Sequence, residues 1–264
     1  SEVMEEVLDH VAAWEPHIKA LYLFDPDGAR AAARASTDRW QKGEPVGTLD
    51  GVPATIKDNI ATKGQPIPLG AASVKQVPAE KDAPPAARLR EAGAIIFSKT
   101  TMPDYGMLSS GLSSFHPLTR NPWDLSKNPG GSSSGAGAAA AAGYGPLHLG
   151  TDIGGSVRLP AAWCGLVALK PSLGRVPIDP PYVGRVAGPM TRIVDDAALM
   201  MCVLSKPDRR DGMSLPADNI NWKAHEKSPR KLRIGLMLDA GTGQPLEKPV
   251  RAVAVKAAKA FESA

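Results

Sequence analysis

GVPATIKDNI, residues 51–60, reads as a buried strand in which Val52, Ala54 and Ile56 share one face while Thr55 and Lys57 project from the other. That register leaves the polar cluster Lys57, Asp58 and Asn59 at the strand's carboxyl end. Downstream, residues 83–92 predict a helix with Asp82 as N-cap, prolines in the first turn and Gly93 as its stop. AIIFSKT (94–100) follows as a short apolar run of strand type. Strand, helix and strand within fifty residues predict an α/β sheet with parallel neighbours. Upstream, residues 27–42 read as a helix that Gly43 ends.

Beyond Thr100 the periodicity fades. Pro103, Pro117, Asn121, Pro122 and Pro129 punctuate a long loop, and loops of that length in compact domains are usually functional. The stretch NPGGSSSGAGAAAAAGYGPLHLGTDIGGSVRLPAAWCG, Asn128 to Gly165, then predicts two Gly/Ser turns. Between them come a small-residue helix near 134–143 and a short strand from Leu147 to Gly150, and a further helix follows Pro160. Ile193 to Leu204 reads as an apolar helix and KLRIGLMLD (231–239) as a buried strand. From Pro249, apolar residues at Val250, Val253, Ala254, Ala257 and Phe261 recur at helical spacing. There is no internal repeat.

Composition narrows the function classes. At 264 residues, 43% hydrophobic and 22% charged, the chain has the balance of a soluble globular protein rather than a disordered, collagenous or disulfide-framework one. Its 39 alanines and 26 glycines, against 5% aromatic residues, point to closely packed backbones. A net charge of +4 from scattered Lys and Arg provides no stripe to track phosphates, so direct nucleic-acid binding is not expected. The basic stretch Lys223 to Arg233, interrupted by Glu226 and Pro229, reads as a solvated linker. Cys164 and Cys202, 38 positions apart in apolar surroundings, and a start without export-signal character predict a reducing cytoplasm. The longest small apolar run, Ala136 to Ala142, is too short to cross a bilayer, and membrane association is not expected.

The two Gly/Ser turns carry the chemistry. GGSSSG (130–135) could cradle a phosphate at a helix N-terminus, but no Lys follows in the P-loop pattern. It also contains G-x-S-x-G, yet the preceding NPWDLSKNP is not the buried strand that a nucleophile elbow requires. Only His148 and His225 lie downstream as triad histidines, and neither has a convincing acidic partner. A plain serine-glycine linker is the bland alternative; the adjoining small-residue helix and the second turn speak against it. In that second turn, GTDIGGSVR (150–158), Gly154 and Gly155 let successive amides converge on one point. Ser156 could then attack a carbonyl while the N–H groups of Ile153, Gly154, Gly155 and Ser156 hold the oxyanion. The five histidines show no metal-ligand spacing, so no metal or cofactor is expected and the base is better sought among lysines. Desolvation lowers a buried lysine's pKa toward a useful value, and Lys57 alone sits at the carboxyl end of a predicted buried strand.

KDNI, GGSSSGAG and GTDIGGSVRLPAAWCGLVALKP, in that order, together with LREAGAIIFSKTTMPDYG and AGPMTRIVDDAALMM, resemble the amidase signature family over nearly all of residues 50–205. The resemblance implies an α/β fold with a central mixed sheet covered by helices on both faces. It also implies a Ser, cis-Ser, Lys triad that hydrolyses a carboxamide through a serine acyl-enzyme. Matched residue by residue, Lys57 is the motif lysine and Ser156 the nucleophile. The family spacing selects Ser132, twenty-four positions before Ser156, as the bridging serine, with a cis peptide bond from Gly131. Ser133 is expected to assist by hydrogen bonding, and Asp152 and Arg158 to bracket the turn. Met107, Leu108 and Ser109 lie where the family places part of its acyl pocket, although ordinary loop packing explains them equally well. Cys164 reads as a core thiol.

Members of the family usually extend well beyond the point equivalent to Ala264. The chain is therefore expected to be the N-terminal portion of one longer amidase signature domain, with 206–231 a loop or linker inside it. The expected substrate is a small-molecule amide, and a homodimer is compatible with the family. One family branch supplies ammonia for transamidation of misacylated tRNA; its pattern carries a DQIGP-like stretch where this chain reads AGPMTR (187–192), which favours a stand-alone amidase. An inactive structural paralogue is the third reading, and retention of Lys57, Ser132 and Ser156 together weighs against it.

Overall fold

The computed structural model describes residues 1–223 and 233–262. It divides into two compact units, Ser1–Ile220 and Asn221–Ala264, and the candidate chemistry falls entirely in the first.

The first unit is built on a six-stranded mixed sheet. Along the chain come α1 (Glu2–Ile18), β1 (Leu21–Tyr22), α2 (Pro26–Gln41), β2 (Pro53–Lys57), α3 (Pro84–Glu91), β3 (Ile95–Thr100), α4 (Ser134–Ala142), β4 (Leu147–Asp152), α5 (Arg158–Cys164), β5 (Val167–Ala168), β6 (Val186–Thr191) and α6 (Val194–Leu204). Spatially the strands run β1-β3-β2-β4-β6-β5. The three central strands are parallel, with Lys57 opposite Thr100 and Ile56 opposite Leu149. Antiparallel pairings of β1 with β3, β6 with β4 and β5 with β6 complete the sheet. Because β2, β3 and β4 point the same way, Lys57, Thr100 and Asp152 end along one edge, where open α/β sheets bind ligands.

The strand expected over 51–60 is thus confined to five residues, all buried on both faces, so its apolar/polar alternation reports register rather than exposure. Asp82 does not cap α3. Ala83 holds the N-cap position, and the Asp82 carboxylate accepts the Lys63 amide at 2.7 Å instead. Four elements had no forecast. Two are the short strands β1 and β5; the others are α1, whose Met4, Val7, Leu8, Val11 and Ile18 are buried, and β6, which the glycine and proline of VAGPMT disguise.

Burial explains how the helices are held. α1, α2, β3 and α4 share one core cluster containing Val11, Ala33, Phe97, Ala138 and Tyr144. α3 and α6 pack on each other, and α6 also packs along β6. The small residues of α4 permit an unusually close approach. A Cβ at Gly135 would overlap the Ala20 carbonyl oxygen and the Thr101 amide, and one at Gly137 would stand 3.0 Å from Pro160.

The region after α6 is a loop as far as it is described, but it is fastened to the body. Asp208 pairs with Arg88 at 3.2 Å and Arg210 at 2.7 Å, and Asp211 accepts the Ile178 amide at 2.9 Å. The linker reading of Lys223 to Arg233 falls mostly on 224–232, outside the described residues. In the second unit, α7 (Lys248–Lys259) matches the expected helix. The strand expected at 231–239 is not formed over 233–239. Ile234, Leu236 and Met237 are exposed there, and a strand without a pairing neighbour leaves its backbone groups to solvent. No helix among the described residues is long and apolar enough to cross a membrane.

Candidate active site

The two Gly/Ser turns and the end of β2 meet. Lys57 is fully buried, and its Nζ lies 2.8 Å from Ser132 Oγ and 3.0 Å from Ser133 Oγ. The peptide bond from Gly131 to Ser132 is cis. Ser133 Oγ donates to the Thr151 carbonyl at 3.1 Å and accepts from the Thr151 amide at 3.2 Å as well as from Lys57. A hydroxyl has one proton and two lone pairs, so Ser133 is saturated and fixed in place. Ser132 keeps its capacity to exchange a proton with a further group. Gly150 allows this arrangement, because a Cβ there would stand 2.7 Å from Ser133 Oγ.

Burial pushes the Lys57 ammonium down to about 7; Asp58 and Asp152 oppose the shift and the Arg185 charge adds to it. A substantial neutral fraction near neutral pH, with the amine within hydrogen-bonding distance of a serine hydroxyl, is what a general base needs. Lys99, the other buried lysine, is also pushed down by burial, to about 8, but its Nζ is held by the Ile60 carbonyl at 3.0 Å.

The second turn is organised by Asp152. Its carboxylate accepts from the Gly155 amide at 2.8 Å, the Val157 amide at 3.0 Å and the Arg158 guanidinium at 2.9 and 3.0 Å. Burial would raise this carboxyl, but the Arg158 guanidinium and the backbone amides outweigh it and bring it down to about 2. Asp152 and Arg158 therefore bracket the turn. The Gly155 amide, expected to face an oxyanion, is instead committed to Asp152, since one carboxylate at the head of a tight turn collects its nearest N–H. The amides of Ile153, Gly154 and Ser156 have no acceptor among the described residues. The two turns are tied together where the Ser133 amide donates to the Ser156 carbonyl at 3.1 Å.

A cavity of about 450 Å³ opens on this edge, and both Ser132 and Ser156 line it. Met107, Leu108 and Ser109, from the loop after β3, line it too. The loop lies against the first turn: a Cβ at Gly131 would approach the Leu108 carbonyl oxygen at 2.7 Å. Sequence reasoning placed Asn59 at the strand's carboxyl end without giving it a role and did not single out Thr151, Tyr182 and Arg185; all four also line the cavity. Asn59 and Thr151 neighbour residues that were recognised, and their position was available as a signal. Tyr182 and Arg185 arrive from a distant loop and had none.

The histidines are placed elsewhere. His148 Nε2 faces the Gly145 carbonyl at 3.0 Å and must donate to it, so Nδ1 accepts from Thr55 Oγ1 at 2.8 Å. Burial pushes this imidazole down to about 4 and keeps it neutral between β2 and β4. His116 Nε2 meets Asp58 at 2.7 Å, and Asp58 also accepts the amides of Leu69 and Gly70. Cys164 is buried, with its thiol pushed up to about 12 by desolvation, in keeping with a core position.

Fold and site together define a mixed α/β protein in which a buried lysine is wired to serines at the carboxyl edge of parallel strands. The family model for amidases matches residues 2–264, and the chain belongs to that family. A glutamyl-tRNA(Gln) amidotransferase component from Chloroflexus aurantiacus is 41% identical over 244 residues, covering 89% of this chain and 49% of that protein. Among solved structures, 6-aminohexanoate cyclic dimer hydrolase superposes with a TM-score of 0.90 at 30% identity, over 99% of this chain and 55% of that one. A bacterial aryl acylamidase of the amidase signature family superposes with a TM-score of 0.75 at 38% identity, over 82% of this chain and 46% of that one. The chain thus spans about half the length of the relatives it matches.

Proposed function

We propose that the protein carrying this chain hydrolyses a small carboxamide to a carboxylate and ammonia or an amine through an acyl-enzyme on Ser156. The observation that carries the reading is the 2.8 Å approach of the buried Lys57 Nζ to Ser132 Oγ, on a cavity that Ser156 shares. Neutral Lys57 takes a proton from Ser132 as Ser132 takes one from Ser156, and Ser156 Oγ attacks the amide carbon. The oxyanion is received by the amides of Ile153, Gly154 and Ser156. As the tetrahedral intermediate collapses, the relay returns the proton to the departing nitrogen. Water then deacylates Ser156 by the same route in reverse. Ser133 holds Lys57 in register, and the mechanism calls on no metal or cofactor.

Labelling of the full-length protein with a fluorophosphonate, alongside amide hydrolysis by Ser156→Ala, tests this reading. Labelling confined to Ser156 and a loss of turnover of at least about a thousandfold in the variant are expected. Unchanged hydrolysis by a folded Ser156→Ala protein overturns it.

A second reading, ammonia release from glutamine as part of a tRNA-dependent amidotransferase, is favoured by the 41% identity to the Chloroflexus protein. The AGPMTR stretch favours the stand-alone amidase instead. Glutamine hydrolysis that required partner proteins and a charged tRNA would decide for the amidotransferase.

A further inference from the structure

Arg185 stands just before β6, in the loop that follows the cis Asp179–Pro180 bond, and its side chain lines the same cavity as Ser132 and Ser156. The guanidinium has five N–H donors and no acceptor capacity. One of its terminal nitrogens donates to the Pro180 carbonyl at 2.7 Å, the only side-chain hydrogen bond it makes among the described residues. Its Nε–H is buried with no acceptor, which is costly for a charged donor. No carboxylate answers the charge among the described residues. Asp179, the nearest acid in sequence, is paired with Lys81 at 3.0 Å. The Tyr182 ring, its centroid 6.0 Å away, offers only a distant aromatic face. Arg39, Arg158 and Arg210, by contrast, each meet a carboxylate.

A half-buried arginine left unpaired on the wall of a reaction cavity presents a planar fork to whatever enters. Building on the amidase reading, we propose that Arg185 is a specificity-determining residue that binds a carboxylate elsewhere in the substrate, so that the preferred amides are small anionic ones. The cavity, about 450 Å³, suits a molecule carrying both an amide for Ser156 and a carboxylate for Arg185. A carboxylate would meet a guanidinium whose only other side-chain hydrogen bond among the described residues goes to the Pro180 carbonyl, so an uncharged analogue forgoes a charge-assisted hydrogen bond and is disfavoured.

Matched pairs test this on the full-length protein. ω-Carbamoyl carboxylates with three to six carbons between the amide and the acid are each compared with the neutral primary amide of equal length. The readout is the ratio of kcat/KM within a pair, in wild type, Arg185→Gln and Arg185→Lys. The wild type is expected to prefer the anionic member of at least one pair. That ratio should fall about tenfold to a hundredfold in Arg185→Gln, chiefly through KM, and by less in Arg185→Lys, which keeps the charge without the fork. If the wild type prefers no anionic member, the inference is overturned. It is equally overturned if Arg185→Gln slows both members in proportion, as it would if the residue acted only through Lys57 or the fold. Where turnover is absent, calorimetry of the same pairs on Ser156→Ala gives the same ratio as a ratio of Kd values, with the same outcomes. Failure of the amidase reading is seen separately, as hydrolysis of either member that survives Ser156→Ala.

Discussion

At the residue scale the critical feature is an amine placed where its charge is unwelcome. Lys57 is buried among hydroxyls and is pushed down to about 7, so the folded state holds fewer protons than the unfolded one between pH 7 and 10.5. A group of this kind makes the wild type gain stability as pH rises through that window. Below pH 7 both states are protonated and the full desolvation penalty is carried. Methionine matches the length of the lysine stem without the charge, so Lys57→Met should abolish amide hydrolysis while remaining folded. Its stability relative to wild type should be greatest at pH 6 and shrink by about 3 kcal/mol on going to pH 9. Urea unfolding at the two pH values measures the difference, and a gap that does not change with pH would mean Lys57 stays charged in the folded protein.

The place of Lys57 was legible because a strand's alternation put it at a carboxyl end among polar neighbours. Ser156 was legible from the two glycines before it. Ser132 could be separated from Ser133 and Ser134 only by family spacing; the structure adds a physical distinction, since Ser133 is saturated by Thr151 and Lys57 while Ser132 faces the cavity. The Gly155 amide was misjudged because a sequence shows that glycines turn, but not which acceptor their N–H groups find.

At the element scale, backbone proximity rather than side-chain bulk does the packing. β4 must pass within hydrogen-bonding distance of the first turn for Thr151 to hold Ser133, and Gly150 makes room for it. Gly150→Ala brings a methyl against Ser133 Oγ and against the Met190 sulfur at 3.0 Å. Overpacking of this kind destabilises by about 1–3 kcal/mol. Because the displaced atom is Ser133 Oγ, the loss of kcat should exceed the loss expected from unfolding alone. Thermal melts set beside kcat at a temperature where the variant is fully folded make the separation; full activity there would show that Ser133 is not needed to hold Lys57. The alanine-rich α4 and the strand β4 were readable from composition and pattern. β6 was not, since proline and glycine inside VAGPMT contradict strand propensity and only its antiparallel pairing with β4 and β5 forms it.

On the scale of the whole molecule, the two units differ in how much they bury. The central strands β2 and β4 are buried at every residue, whereas α7 has no buried residue. Opening a helix exposes little when it buries little, so its amides exchange through local fluctuations rather than global unfolding. Hydrogen exchange of the 264-residue chain should therefore show α7 amides exchanging at least about a hundredfold faster than those of β4. Comparable protection in both would mean that α7 is held by contacts beyond its own unit.

The sequence by itself determined the α/β class and the order of the central elements, and it put Lys57 and Ser156 forward as candidate site residues, because these depend on local periodicity and on motifs contiguous in the chain; Ser132 was put forward by family spacing. Only the tertiary structure decided that Ser133 is locked by Thr151, that Asp152 claims the Gly155 amide, and that Arg185 reaches the same cavity from a loop more than fifty residues beyond Ser132. Hydrogen-bond partners and unpaired charges are properties of spatial neighbours, and the folding of the sheet chooses those neighbours.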